Sequence, residues 1–181
     1  MILHPWHEVD PGDRVPEVCW AFIEISRKSR AKYEIDKKSG LLKLDRVLYS
    51  SVMYPANYGF IPRTMHADGD PLDVLVLSQI DITPHCLVEV NIIGVMQMID
   101  QGESDDKILA VAARDPSVNY IHDISDMPPN LEKEIIQFFN TYSVLENKKV
   151  TATSFVNRET AFRIINEGIV LYREKAEVGG W

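Results

Sequence analysis

The segment HADGDPLDVLVL, residues 66–77, sets Asp68, Asp70 and Asp73 around Gly69 and Pro71, immediately before an unbroken apolar run. Three carboxylates this close repel one another unless a cation sits among them. A solvated acidic turn would account for the stretch taken alone. The functional alternative is a site for a hard divalent ion such as Mg²⁺, which prefers carboxylate oxygen and is usually held by a few carboxylates with water and phosphate. A second acidic turn, IDQGESDDKI, carries Asp100, Glu103, Asp105 and Asp106 between two apolar stretches, and alone it reads as a hairpin tip. If both turns lie at the same end of the fold, Asp100 and Asp105 complete a cage for two or more cations with Asp68 and Asp73. Lys32, Arg46, Tyr54 and Tyr58 stand in strand-like segments nearby. Each has a plain structural explanation, as a solvated strand face or a core tyrosine with its hydroxyl at the rim. Together with the carboxylates they make up a metal–phosphate site, because Mg²⁺ and Arg both neutralise charge on phosphoryl oxygens during in-line attack.

Those residues must be positioned by a framework whose pattern changes along the chain. From Cys19 to Ala113 the apolar residues fall in short β-rich runs separated by turn chemistry, and from Pro128 they take helical spacing. Trp20, Phe22 and Ile25 mark a first strand. KYEID, the turn DKKSG and LLKLDRVLY predict a hairpin in which Gly40 supplies the turn conformation. Further strands are expected over 74–80, 86–99 and 107–113, and about six short strands with turns between them point to a closed or nearly closed barrel. A helix over 128–146 would turn Leu131, Ile135, Phe138, Phe139, Tyr142 and Leu145 to one side, covering the barrel. A second helix, capped by Asn157, would bury Ala161, Ile164, Ile165, Ile169 and Tyr172.

DGDPLDVLVL, taken with IEI, KYEIDKKSG, LDR and MYPANYGFIP in that order, resembles the family I soluble inorganic pyrophosphatases, for which D-G-D-P-x-D before an apolar strand is diagnostic. The resemblance runs from about Val18 through the Tyr142 region and is loose over the last 35 or so residues. It implies a mainly β fold with flanking α-helices, an OB-like five-stranded barrel in a single domain over residues 1–181. The implied reaction is hydrolysis of pyrophosphate, arriving as its magnesium complex, to two orthophosphates by a metal-activated water, with several Mg²⁺ per site. Position by position, Asp68, Asp73 and Asp105 match ligands of the activating metal, and Asp73 also matches a bridge to a second. Asp100 matches a ligand for metal arriving with substrate, and Glu24 an acid reaching metal through water. Asp70 matches the carboxylate that accepts a proton from the attacking water. Lys32, Arg46, Tyr58, Lys107 and Tyr142 match phosphate-binding residues, with Glu34 and Tyr54 as supporting pocket residues. One departure stands out: Ser143 follows Tyr142 where the family commonly has Lys, leaving Lys148 or Lys149 as the nearest substitutes in sequence. Gln101 stands where members often have Glu, and is left out of the metal set.

Composition excludes several other classes. The 181 residues suit one globular domain, with 45% hydrophobic and 25% charged residues. Nineteen Lys and Arg against 27 Asp and Glu give a net charge of −8, which disfavours a broad nucleic-acid face and hence the main rival, a non-catalytic OB-type binding module. A haloacid-dehalogenase-type phosphatase would place its apolar strand before the acidic pair, whereas VLVL follows it here. An EF-hand would need Glu at position 79, which is Gln, and would not hold Pro71. Cys19 and Cys86 are expected to be buried thiols. His66 is expected at the surface, since a lone histidine lacks a partner at ligand spacing. The first 13 residues lack a basic start and a long apolar stretch, and no run nears the roughly 20 apolar residues of a membrane span. A cytoplasmic enzyme without a membrane partner is the expectation, and the resemblance implies a homohexamer.

Overall fold

The computed structural model describes residues 3–179. In chain order the strands are β1 (Val18–Ile25), β2 (Ala31–Ile35), β3 (Leu42–Val47), β4 (Asn57–Phe60), β5 (Asp73–Leu77), β6 (Cys86–Asp100), β7 (Glu103–Ser104) and β8 (Lys107–Ala112). Helix α1 (Pro129–Thr141), β9 (Val150–Asn157) and α2 (Arg158–Glu177) follow. Five strands close into a ring in the order β1-β4-β5-β8-β6, and β6 pairs back onto β1. All pairings around the ring are antiparallel except β5 with β8. The hairpin β2–β3 forms a separate two-stranded sheet. No described helix is long and apolar enough to cross a membrane.

Both faces of the ring are covered, which explains why its strands read as continuous apolar runs rather than alternations. In β5, Leu75 and Leu77 join a cluster with Ile93, Met96, Leu109 and the α1 residues Ile135, Phe138 and Phe139. Val74 and Val76 point the other way, into a cluster with Ile108, Val95 and the α2 residues Ala161 and Ile165. Burying an aliphatic side chain of this size contributes about 2 kcal/mol, so the two helices are held by side chains of the same strands.

Where strands cross closely, side-chain size is decisive. A Cβ on Gly59 in β4 would lie 1.8 Å from the Phe22 carbonyl oxygen of β1. The β2–β3 turn uses Gly40 at φ +71, with Gly40 N–H donating to the Asp36 carbonyl at 2.8 Å and Asp36 Oδ2 accepting from Ser39 N–H and hydroxyl. This is the turn that DKKSG predicts.

Several expectations need correcting. Helix α1 ends at Thr141, and Leu145 lies in a following 3₁₀ turn, exposed, before Asn147 reverses the chain at φ 58. Cys19 is buried, but Cys86 is only half-buried. Ile164 and Ile169 are half-buried on α2, whereas Ala161, Ile165 and Tyr172 are fully inside. Strand β4 falls in the strand-like MYPANYGF segment that holds Tyr58, whereas β7 and β9 are not among the expected strands.

Candidate active site

The parallel pairing of β5 and β8 sets the centre of the site. Val74 lies opposite Ile108, so Asp73 and Lys107, each the first residue of its strand, emerge side by side at one end of the ring. The Lys107 ammonium, 3% exposed, is clasped by Asp73 and by Asp105 Oδ1, the latter at 2.5 Å. Burial opposes its charge, but the two carboxylates outweigh that and hold Lys107 well above the ordinary lysine range. Asp73 is pushed above the usual carboxylate range by burial, against the pull of Lys107. From β4, the Tyr58 ring centre stands 6.0 Å from Lys107 Nζ.

The acidic turns converge on this end as anticipated from neither alone. In the first, Asp68 Oδ1 accepts from Asp70 N–H at 2.9 Å while Gly69 adopts φ +84. Asp70 carries an ion pair with Lys37, which arrives from the β2–β3 turn. In the second, Gln101 (φ 50) and Gly102 (φ 95) make a two-residue reversal between β6 and β7, leaving Asp100 at the strand end. Asp105 is tied back by its N–H to the Met98 carbonyl at 2.9 Å. Asp106 instead accepts from Met98 N–H and serves the backbone. Glu103 points to solvent.

Glu24 comes from β1 and is 5% exposed; its Oε1 accepts from Ile35 N–H at 2.7 Å, so the carboxyl joins the hairpin to the ring. Burial, with Asp73 next, raises its pKa to about 8. On the hairpin, Lys32 contacts Glu34 at 2.5 Å and Asp45 at 3.5 Å. One wall is aromatic: Tyr54 lies 5.5 Å from Tyr58 and 4.9 Å from Phe138, which stacks on Tyr142 at 5.3 Å. Burial raises the hydroxyl pKa of Tyr54, Tyr58 and Tyr142, keeping them donors.

A cavity of about 590 Å³ collects twelve of the thirteen residues singled out from the sequence: Asp68, Asp70, Asp73, Asp100, Asp105, Glu24, Glu34, Lys32, Lys107, Tyr54, Tyr58 and Tyr142. Arg46 is the exception. It lies opposite Lys32 in the hairpin register, but its guanidinium is engaged by Asp45 and by Glu146 at 2.8 Å and does not line the cavity. Neither Lys148 nor Lys149 reaches it either; both are exposed. Sequence reasoning missed Lys37, Lys38 and Lys43, which do line it; the available signal was a lysine pair in a turn, which reads as solvent-facing. His66 is half-buried rather than at the surface, 3.8 Å from Asp68, whose carboxylate raises its pKa.

As the side chains stand, no three His, Cys, Asp or Glu among the described residues converge to hold a metal ion. The chemistry of the cavity nonetheless fits a hard cation. Its candidate donors are all carboxylate oxygens. Asp100 Oδ1 is buried with no hydrogen-bond partner, an unmet demand for positive charge. Asp73 and Asp105 already gather around one cation, the Lys107 ammonium.

The inorganic pyrophosphatase family profile matches residues 21–173. The chain is 51% identical over 169 residues to the soluble inorganic pyrophosphatase of Oryza sativa subsp. indica, covering 93% of this chain and 79% of the relative. It is 50% identical over 171 residues to soluble inorganic pyrophosphatase 3 of Arabidopsis thaliana, covering 94% and 79%. Its fold is similar to the crystal structure of inorganic pyrophosphatase from Thermus thermophilus, with TM-score 0.90 and 40% identity over 94% of this chain and 99% of that one. The Helicobacter pylori enzyme gives TM-score 0.87 and 39% identity over 92% and 99%.

Proposed function

Since the chain belongs to the inorganic pyrophosphatase family, we propose that the cavity at the Asp73–Lys107 end of the ring is an inorganic diphosphatase active site. The observation that carries this reading is the convergence of Asp68, Asp70, Asp73, Asp100 and Asp105 with Lys32 and Lys107 in one cavity. A binding module on nucleic acid has no use for such a floor, since carboxylates repel phosphates without cations between them.

Asp68, Asp73, Asp105 and Asp100 would hold divalent cations, with Mg²⁺ the choice favoured by all-oxygen ligation. When bound, these ions supply Lewis acidity toward phosphoryl oxygen and lower the pKa of the attacking water. The chain's own residues do the rest. Asp70 accepts the proton of the water as its oxygen bonds to one phosphorus, and the bridging P–O bond breaks with its electron pair leaving on the second phosphate. Lys32, fixed by Glu34, and Lys107, fixed by Asp73 and Asp105, present ammonium charge to phosphoryl oxygens without reorganisation. Tyr58 and Tyr142 remain neutral and donate hydrogen bonds. Tyr54 supports them from the aromatic wall, and Glu24 keeps the hairpin, and thus Lys32, against the ring. Arg46 shares Asp45 with Lys32; it would exchange Asp45 for substrate.

The setting we propose is a cytoplasmic homohexamer that engages neither nucleic acid nor membrane, supported by the family likeness and the net charge of −8. The decisive experiment follows phosphate release from pyrophosphate with and without Mg²⁺, in the native protein and in Asp70→Asn. Release that needs Mg²⁺ and drops at least about a hundredfold in Asp70→Asn is expected. Release that survives chelation, or an unimpaired variant, refutes the mechanism.

A further inference from the structure

We infer that Lys37 is a substrate-binding residue of this site, parked on Asp70 in the free enzyme and transferred to a phosphate oxygen of bound pyrophosphate, and that His4 is the positioning residue that holds its turn. The inference rests on the diphosphatase reading of the cavity and extends it to residues outside the acidic centre.

Three observations converge on it. First, the fixed cations of the cavity are each held by two carboxylates: Lys107 by Asp73 and Asp105, Lys32 by Glu34 and Asp45. Among the described residues the Lys37 ammonium has a single ion-pair partner, Asp70; its side chain is 55% exposed, and it spans the mouth from the hairpin turn to the acidic turn. An ammonium held by one half-exposed carboxylate exchanges that partner readily for a phosphate of higher charge, since an exposed ion pair is worth only about 0–1 kcal/mol.

Second, the turn carrying Lys37 is rigid where its backbone is concerned. Asp36 N–H donates to the Leu41 carbonyl and Gly40 N–H to Asp36, both at 2.8 Å, so the freedom of Lys37 lies in its side chain.

Third, the N-terminal segment fastens both sides of the mouth. His4 Nε2 donates to the Lys37 carbonyl at 3.1 Å, and its ring packs against Gly40, where a Cβ would meet His4 Cδ2 at 3.0 Å. Two residues on, buried Trp6 donates from Nε1 to the Thr64 carbonyl at 2.8 Å. Thr64 Oγ1 in turn accepts from Leu72 N–H at 3.0 Å, closing the loop that holds Asp68 and Asp70. The span between Lys37 and Asp70 is therefore set by residues 4–6, which lie before the family match at residues 21–173.

The test is steady-state pyrophosphate hydrolysis with Mg²⁺ by the full chain. Lys37→Gln should raise KM roughly tenfold, the scale of one charge-assisted hydrogen bond, with kcat within about threefold of the parent, and Lys37→Arg should restore KM. His4→Phe keeps the ring but removes the donor; it should raise KM a few-fold when Lys37 is present and leave KM unchanged in the Lys37→Gln background. A Lys37→Gln enzyme with the parent KM, a loss confined to kcat, or a His4→Phe effect of equal size in both backgrounds overturns the inference. A native protein that releases no phosphate overturns the reading of the site itself, so the two failures are distinct.

Discussion

Lys107 is the residue on which the centre of the site depends, because it is the only cation that touches both Asp73 and Asp105 among the described residues. Removing one partner from a buried ion group leaves like charges facing each other, and the loss exceeds the worth of the pair itself. Lys107→Met is expected to lower unfolding free energy in chelator by about 2 kcal/mol, less than for a fully buried triad because both carboxylates retain some exposure. Urea unfolding with and without Mg²⁺ checks this; the deficit should shrink when Mg²⁺ is added, and an equal deficit in both conditions contradicts it. The thiols offer a second residue-level test. Burial pushes Cys19 up to about 12, while Cys86 is half-exposed. A disulfide-exchange reagent at mildly alkaline pH should therefore modify one thiol per native chain and the second only in denaturant. At this scale the sequence was informative about which carboxylates share the cavity, since Asp68, Asp70 and Asp73 follow one another in one acidic segment. It was silent on Lys37, whose role depends on a contact with Asp70 across 33 positions.

At the scale of elements, legibility followed local pattern. The hairpin β2–β3, the long β6 and helix α2 carry their own signals: a Gly turn, an extended apolar run and an Asn cap with helical spacing. Strand β4 is only four residues, Asn57–Phe60, and occupies the end of the strand-like MYPANYGF segment. Strand β9, Val150–Asn157, is not among the expected strands; it pairs with the 15-residue β6 along 94–100. The helical spacing that extended α1 to Leu145 is real, but Tyr142 and Ser143 are both buried, and the chain turns there. Closeness of β1 and β4 gives the element-level prediction. Gly59→Ala would set a Cβ 1.8 Å from the Phe22 carbonyl oxygen, and the backbone must move. A loss of about 3 kcal/mol or more is expected, read as a large fall in Tm or in soluble yield; a Tm within a few degrees of the parent would show that the two strands can part.

For the whole molecule, the N-terminal segment and α2 are linked through His7, whose Nδ1 lies 3.0 Å from the Tyr172 hydroxyl. Burial, reinforced by His4, lowers the His7 pKa to about 4. A histidine held below its unfolded value of 6.5 binds its proton more readily in the unfolded chain. Its contribution to stability is therefore complete above 6.5 and is lost as pH falls from there toward 4. His7→Gln should flatten the difference in Tm between about pH 7.5 and about pH 5, and an unchanged slope would assign that acid sensitivity to other groups. The net charge of −8 also acquires a local meaning, since eight of the acids line one cavity instead of spreading over the surface.

The shared starting point of β5 and β8 divides the molecule into a chemical end and a structural end. Asp73 and Lys107 open their strands, and none of the residues lining the cavity lies in the segments that leave the other ends, 78–85 and 113–128. Changes of length in those two segments lie a full strand away from the cavity, whereas insertion into 66–72 or 101–106 would displace cavity-lining residues directly. A reporter or affinity tag grafted into the chain therefore belongs in the first pair of segments. Comparative variation in loop length should be concentrated there as well.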